Sequence, residues 1–136
     1  KHRLALLSVA DVFVTTTVRD GLNRWPLEYV LAQSYMQGGS GSDGPLPKGH
    51  APGLMILSEF TSCCRVLNGA LHVNPWRVQE VADAMQQCMV MEEPERAKRL
   101  DMDVEYARVN TTASWCGRVL QDLKAKQDRQ VLMELQ

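Results

Sequence analysis

Three short apolar runs, each followed by a segment with helical periodicity, constrain this chain more than any other feature of its sequence. The runs lie at residues 10–17, 54–57 and 70–73. The first is rich in β-branched residues, and all three have the length of buried strands. Strands that alternate with helices favour right-handed crossovers and a parallel sheet. We therefore expect an α/β fold.

The segments after these runs carry apolar residues at helical spacing. Pro26 opens the first of them, since a proline in a helix's first turn costs no intrahelical hydrogen bond. A short helical stretch is expected after the second run, near Cys63. Residues 4–9 should form a helix that leads into the first strand, and further helices are predicted around residues 97–107 and 115–123. The clearest amphipathic helix has one predicted apolar face, which consists of Val78, Val81, Ala82, Met85, Cys88 and Met89.

Two segments are expected to lie outside the packed fold. Residues 36–53 hold six of the nine glycines and three of the six prolines, with little apolar area to bury, so we predict a mobile surface loop. Residues 124–136 are predicted to be a tail, either a fraying helix or a linker. The packed unit should therefore span residues 1–123. Its first strand and last helix are expected to present apolar faces to partners outside it.

The composition excludes several classes of protein. Fifteen Lys+Arg stand against 16 Asp+Glu, a net charge of −1, so the basic surface of a nucleic-acid-binding protein is missing. No apolar run approaches the ~18 residues of a membrane span. The four cysteines form no C-x-x-C motif and the three histidines are scattered, which argues against a zinc site. We expect reduced, buried cysteines in a cytoplasmic protein, and we interpret the apolar stretch 4–7 as helix rather than signal peptide.

The loop between the first strand and its helix is the best candidate for a binding site, because ligands of parallel sheets bind at the carboxyl ends of the strands. Gly21 would let a ligand approach the backbone closely. Free N–H groups near Arg24, Trp25 and Leu27, at the start of the helix, would suit a phosphate. One turn later, Glu28 could accept hydrogen bonds from two vicinal hydroxyls.

These residues also have plainer structural interpretations. Asp20 and the glycine after it could form only a turn, Asn23 could be only an N-cap, and Glu28 only an acid that favours the helix dipole. In the third strand and the loop after it, His72 is expected in the core and Trp76 is expected to anchor the loop. Spacing alone leaves both interpretations of the candidate loop open.

Beyond these patterns, several motifs resemble trehalose-6-phosphate synthase in their order and spacing. The resemblance covers residues 4–123, with the long segment 36–53 at a point where the family usually has a short connection. It is carried by Ala10-Asp11-Val12, Arg19-Asp20-Gly21-Leu22-Asn23, Glu28-Tyr29, Leu57-Ser58-Glu59-Phe60, Val73-Asn74-Pro75-Trp76 and Glu80-Val81-Ala82.

The resemblance implies a retaining glycosyltransferase of the GT-B type, in which two Rossmann-like domains face a cleft and no metal or other cofactor is needed. Such enzymes transfer glucose from UDP-glucose to glucose-6-phosphate. This chain would be the second half of the Rossmann-like parallel sheet of the nucleotide-sugar-binding domain, with extra C-terminal helices. The domain that binds glucose-6-phosphate would lie upstream.

By the same resemblance, individual residues receive roles in binding UDP-glucose. Asp20 would be the catalytic residue, an acidic side chain that hydrogen-bonds the donor glucose, and Gly21, Leu22 and Asn23 would provide the backbone around that sugar. The helix start at Arg24, Trp25, Pro26 and Leu27 would hold the diphosphate, and Glu28 would bind the ribose hydroxyls.

One departure from the family pattern leads to a second interpretation. Residues 24–26 replace a small apolar pair and its neighbour, and Pro26 removes one N–H from the turn that would face the phosphates. Synthase-like domains also occur ahead of trehalose-6-phosphate phosphatase modules, and some of those domains are inactive. The alternative is therefore a catalytically silent regulatory or scaffold domain attached to such a phosphatase. Neither interpretation involves nucleic acid or a membrane.

Overall fold

A computed structural model describes residues 2–37 and 51–134 of the chain. Each of the predicted strands and helices is present in these two ranges. β1 is shorter than the run that predicted it, because only four of its residues pair with the neighbouring strand. In chain order the elements are α1 (His2–Val9), β1 (Val12–Thr15), α2 (Trp25–Met36), β2 (Leu54–Ser58), the 3₁₀ helix η1 (Ser62–Arg65), β3 (Leu71–Val73), α3 (Val78–Val90), α4 (Glu93–Val109) and α5 (Thr112–Glu134).

The three strands form one parallel sheet in the order β1-β2-β3. Val12 pairs with Leu54 at one end of the β1–β2 ladder, and Ile56 pairs with Leu71 in the next ladder. β2 is central, and all five of its residues are buried. Parallel strands joined by helices confirm the α/β fold predicted from the sequence.

Helices cover both faces of this sheet, and β2 supplies side chains to each core. Met55 and Leu57 join a cluster with residues of α2 and α4, such as Val30 and Leu100. Side chains alternate along a strand, so Leu54 and Ile56 point the other way. They pack with Val73 of β3 and with Ala84 and Cys88 of α3. The domain is thus a three-layer arrangement with the sheet in the middle.

The predicted apolar face of α3 is only partly correct. The residues that contact the sheet are Val81, Ala84 and Cys88, at spacing i, i+3 and i+7. Val78 is 79% exposed and Met89 is 76% exposed, although both belong to the predicted face. The apolar face of α3 is wider than the part of it that contacts the sheet. Hydrophobicity alone does not predict which side of such a wide face is buried.

The last helix projects from the rest of the described fold. None of the side chains described in α5 is buried, and Trp115 and Leu120 are 58% and 65% exposed. This confirms that the last helix presents an apolar face. Cys116 is also exposed, so the expectation of buried cysteines is wrong there. Residues 124–134 continue α5 as helix, and the division of the chain at residue 123 stays a prediction.

The loop predicted at residues 36–53 starts later than expected, because Met36 is the last residue of α2. Its far end is packed against the fold. Residues 38–50 lie outside the described residues. Pro52 and Gly53 are buried, which corrects the expectation of a mobile surface loop for these two positions. The Gly53 N–H donates to Gln33 Oε1 at 3.2 Å, and Arg96 Nε donates to the Pro52 carbonyl oxygen at 2.7 Å. These bonds fix the approach of the chain to β2.

His72 is exposed, which corrects the expectation of a histidine in the core. It pairs in register with Leu57, and partners in a parallel ladder share a sheet face. Leu57 lies on central β2 and is covered by α2 and α4, whereas His72 lies on β3 at the edge of the described sheet. Its Nε2 is 3.1 Å from the Leu67 carbonyl oxygen.

A buried carboxyl group ties α4 to the turn before β3. Asp103 is 2% exposed, and its Oδ1 accepts a hydrogen bond from the Gly69 N–H at 2.8 Å. Burial raises the pKa of Asp103 to about 6, although the Gly69 hydrogen bond and the charges of His72 and Arg99 act in the opposite direction. The folded state therefore binds the Asp103 proton more tightly than the unfolded state does.

The stability of the fold should fall as Asp103 ionises. Because the pKa of Asp103 is raised in the folded state, the stability that protonated Asp103 contributes is fully present below about pH 4 and is lost as the pH rises through about 6. Asp103→Asn keeps an oxygen for the Gly69 N–H but removes the buried charge. We expect this variant to gain up to about 3 kcal/mol over the parent at pH 8 and much less at pH 4. Thermal melts at both pH values test this, and an equal effect at both would contradict it.

Candidate functional site

The candidate loop lies at the carboxyl end of β1, where it leads into α2. Asp20 is half-buried, and Gly21 and Leu22 are exposed. A Cβ atom added to Gly21 would meet no atom within 4 Å, so the space beside its backbone is open. The structure thus brings together the residues that the sequence predicted as a site, at the edge of the sheet where ligands of parallel folds bind.

The loop after β2 holds this loop through two hydrogen bonds. Ser62 Oγ donates to the Gly21 carbonyl oxygen at 2.8 Å. Cys63 Sγ donates to the Asn23 carbonyl oxygen at 3.0 Å. Sequence analysis missed both residues, because Cys63 has no histidine nearby to mark it as reactive and the bonds join positions about 40 residues apart. No local pattern could have signalled them.

The Cys63 thiol stays protonated and so remains a donor at neutral pH. Its side chain is buried with Leu67 in the core cluster under α2 and α4. Burial raises the pKa of the Cys63 thiol; the Ser62 hydrogen bond lowers it, and the negative charge of Asp20 raises it further. Cys63 therefore acts here as a hydrogen-bond donor and not as a thiolate nucleophile.

The start of α2 offers fewer free N–H groups than the sequence predicted. The N-cap residue of α2 is Arg24, so the expectation of Asn23 as the N-cap is wrong. Asn23 lies one residue earlier, and its Oδ1 accepts the Trp25 N–H at 3.1 Å. Pro26 has no N–H to offer. Among the described residues, the N–H groups of Arg24 and Leu27 have no hydrogen-bond acceptor. The expectation of a free N–H at Trp25 is therefore wrong, and two remain.

One carboxylate oxygen of Asp20 is buried without a partner. Asp20 Oδ2 has no hydrogen bond to any described residue. A buried acceptor without a partner costs roughly 1–3 kcal/mol, and such atoms in native proteins usually have one. The hydroxyl group of a ligand is a partner of suitable chemistry for this oxygen.

The second carboxylate of the loop has a charged neighbour. Glu28 Oε2 lies 2.8 Å from Arg3 Nη2 of α1, and the Arg3 guanidinium also stacks 5.1 Å from the centre of the Trp25 ring. This ion pair supports a structural role for Glu28. A carboxylate has about four acceptor positions, so the pair leaves capacity for hydroxyl groups as well.

The remaining loops at this edge of the sheet contain local hydrogen bonds rather than a second site. Ser58 Oγ accepts the Phe60 N–H at 3.2 Å, and Asn74 Oδ1 accepts the Trp76 N–H at 3.0 Å. Trp76 is 71% exposed, so the expectation that it anchors its loop is wrong. In residues 2–37 and 51–134, no group of three or more His, Cys, Asp or Glu side chains is arranged to hold a metal ion. Within the same ranges, no helix has the length and apolar character needed to cross a membrane.

Comparison with known proteins gives a consistent family. Residues 1–125 match the family model named Glycosyltransferase family 20. The UDP-forming alpha,alpha-trehalose-phosphate synthase 6 of Arabidopsis thaliana is 35% identical over 127 residues, which cover 90% of this chain and 14% of that protein. The UDP-forming synthase 2 of Aspergillus fumigatus is 31% identical over 112 residues, which cover 82% of this chain and 20% of that protein.

Solved structures show the same similarity in three dimensions. An alpha,alpha-trehalose 6-phosphate synthase from Burkholderia multivorans superposes with a TM-score of 0.78 at 27% identity, and the match covers 96% of this chain and 25% of that one. An E. coli structure bound with UDP-2-fluoro glucose gives a TM-score of 0.73 at 30% identity, with 89% and 24% covered. These matches confirm the expected fold, and the chain spans only a small part of each relative's length.

Proposed function

The chain belongs to glycosyltransferase family 20, and we propose that it forms the donor-binding part of a retaining glucosyltransferase. The reaction moves glucose from UDP-glucose to glucose-6-phosphate and yields trehalose-6-phosphate. The observation that carries this proposal is the loop from Asp20 to Glu28. It combines a buried carboxylate oxygen without a partner, two free N–H groups at a helix start and a second carboxylate.

Each part of the loop matches the chemistry of one part of the donor. Asp20 Oδ2 accepts a hydrogen bond from a hydroxyl of the glucose and so orients the sugar. The N–H groups of Arg24 and Leu27, at the positive end of the α2 dipole, bind the diphosphate. As the glycosidic bond breaks, negative charge grows on the leaving phosphate, and these fixed donors stabilise it. Glu28 binds the ribose hydroxyls. The acceptor hydroxyl attacks the anomeric carbon from the face that the phosphate leaves, and its proton passes to the departing UDP.

The rest of the active site belongs to other parts of a longer enzyme. The chain covers 14% of the Arabidopsis relative and 25% of the Burkholderia structure, so the contacts to the acceptor are proposed to lie outside it. We propose a cytoplasmic enzyme that needs no metal or other cofactor. All four cysteines are free in the structure, which supports a reducing compartment.

A specific observation also supports the silent alternative. The helix start has lost the Pro26 N–H to the proline ring and the Trp25 N–H to Asn23, which leaves fewer donors for a diphosphate. A domain of this kind, attached to a trehalose-6-phosphate phosphatase, would have a regulatory or scaffolding role. Incubating the full-length protein with both substrates and detecting trehalose-6-phosphate and UDP by mass spectrometry decides between the two. Product supports the transferase; none, from folded protein, supports the alternative.

The 136 residues alone should form no trehalose-6-phosphate. They supply one side of the donor site, and the relatives that carry the activity in their names are several times longer. The test is the same assay on the purified chain beside the full-length protein. Turnover by the purified chain would contradict the assignment of the acceptor contacts to other parts of the enzyme.

A further inference from the structure

We propose that Ser62 and Cys63 are positioning residues for the donor, an inference that rests on the proposed function. Through the bonds from Ser62 Oγ to the Gly21 carbonyl and from Cys63 Sγ to the Asn23 carbonyl, they set the direction of the backbone N–H groups that face UDP-glucose. Neither side chain touches the donor itself. Their effect on the reaction passes through the loop between β1 and α2.

The planarity of the peptide bond links these carbonyls to the donor side of the loop. In a trans peptide unit the C=O and the following N–H point in opposite directions. Because the Gly21 and Asn23 carbonyls point at η1, the N–H groups of Leu22 and Arg24 point away from it. Two carbonyls fixed on one side thus fix two donors on the other.

η1 is a firm support for these bonds, because it is built into the core. The Cys63 side chain is 4% exposed and packs in the cluster with Leu67. The Cys63 carbonyl oxygen accepts the N–H groups of Val66 and Leu67 at 3.1 and 2.9 Å. Because core packing fixes the position of η1, its hydrogen bonds also fix the conformation of the loop. A loop held only by solvent-exposed contacts would sample many conformations. Donors that are already held in place bind the diphosphate of UDP-glucose without the cost of ordering the loop, so their loss weakens donor binding.

The two bonds can be removed separately in the full-length enzyme. Ser62→Ala changes an exposed side chain and should leave folding intact. At the buried Cys63, Cys63→Ala removes the hydrogen-bond donor and Cys63→Ser replaces it with a hydroxyl donor. Cys64→Ala is the matched control, since the neighbouring Cys64 side chain makes no hydrogen bond to any described residue of the loop. We expect Ser62→Ala and Cys63→Ala each to raise KM for UDP-glucose about 3- to 10-fold. KM for glucose-6-phosphate should not change, and Cys63→Ser should recover most of the loss.

The KM comparison separates positioning from a merely structural role. A loss of folded enzyme lowers the apparent kcat but leaves KM for both substrates as it was. Unchanged donor KM in Ser62→Ala and Cys63→Ala, with turnover by the parent enzyme intact, would overturn the positioning role and leave the proposed function standing. The same result in Cys64→Ala as in Cys63→Ala would also overturn it. A parent enzyme that neither binds nor turns over UDP-glucose would overturn both proposals.

Discussion

Asp20→Asn should lower kcat of the full-length enzyme on the order of a hundredfold, with little change in KM for UDP-glucose. The proposed contact of Asp20 Oδ2 is to the sugar whose bond breaks, where charge and geometry change along the reaction. An interaction that is stronger in the transition state than in the ground state acts on kcat. The amide keeps the size of the side chain and removes its charge, so packing around this half-buried position is preserved.

Glu28→Gln should show the opposite pattern. The ribose takes no part in bond breaking, so the lost hydrogen bonds weaken ground state and transition state alike. A hydrogen bond to a charged group contributes roughly 1.5–3 kcal/mol, which predicts a rise in KM for UDP-glucose of about ten- to a hundredfold with kcat little changed.

Steady-state kinetics of both variants, with folding checked by thermal melting, measures this division. Arg3→Gln is the control for Glu28, because it removes the ion pair and leaves the carboxylate. If Arg3→Gln reproduces the KM effect, the pair and not the ribose contact is responsible. If Asp20→Asn and Glu28→Gln both keep parent kinetics, the loop is only a turn and the donor-site proposal is wrong. An equal loss of kcat in the two variants would be consistent with a donor site at this loop but would contradict the separate roles assigned to Asp20 and Glu28.

Gly69→Ala should destabilise the fold by about 3 kcal/mol. A Cβ atom at Gly69 would overlap the backbone carbonyl oxygen of Arg99 and lie 2.7 Å from Asp103 Oδ2. Backbone of α4 cannot move aside as the end of a flexible side chain can. The same residue donates its N–H to Asp103 and accepts Arg99 Nη1 at 3.2 Å, so any shift also strains these bonds.

Gly117→Ala provides the matched control for this prediction. Gly117 lies inside α5, and an added Cβ atom there meets nothing within 4 Å. Replacing a helical glycine by alanine in open space should stabilise the protein by roughly 0.5–1 kcal/mol. Urea unfolding curves of both variants give the two free energies. Equal destabilisation would mean that the loss at Gly69 reflects helix or chain flexibility and not the close contact with α4.

The order of elements could be predicted from the sequence because it depends on local pattern. Short apolar runs predicted the strands, apolar spacing of period 3.6 predicted the helices, and Pro26 predicted the start of α2 within one residue. A local hydrogen bond from Asn23 at the start of α2 could also be proposed, since the Trp25 N–H that its side chain accepts is two residues away, although the N-cap itself is Arg24. Contacts between near neighbours in the chain therefore leave a signal in the local pattern of residues.

Features that depend on distant contacts could not be predicted in this way. The burial of Pro52 and Gly53 depends on Gln33 and Arg96, and neither is near them in sequence. The hydrogen bonds from Ser62 and Cys63 to the candidate loop join positions about 40 residues apart in the sequence. Composition predicted a mobile loop at Pro52 and Gly53, and residue spacing indicated no function for Ser62 and Cys63. Both depend on how β1 and β2 lie side by side.

A structure of the full-length protein with UDP-glucose bound tests the central claim, that the loop between β1 and α2 holds the donor. The account predicts diphosphate oxygens within about 3.2 Å of the N–H groups of Arg24 and Leu27. It also predicts a glucose hydroxyl on Asp20 Oδ2 and the ribose hydroxyls on Glu28. UDP-glucose bound away from this loop, with Asp20 Oδ2 still lacking a hydrogen bond, would contradict it.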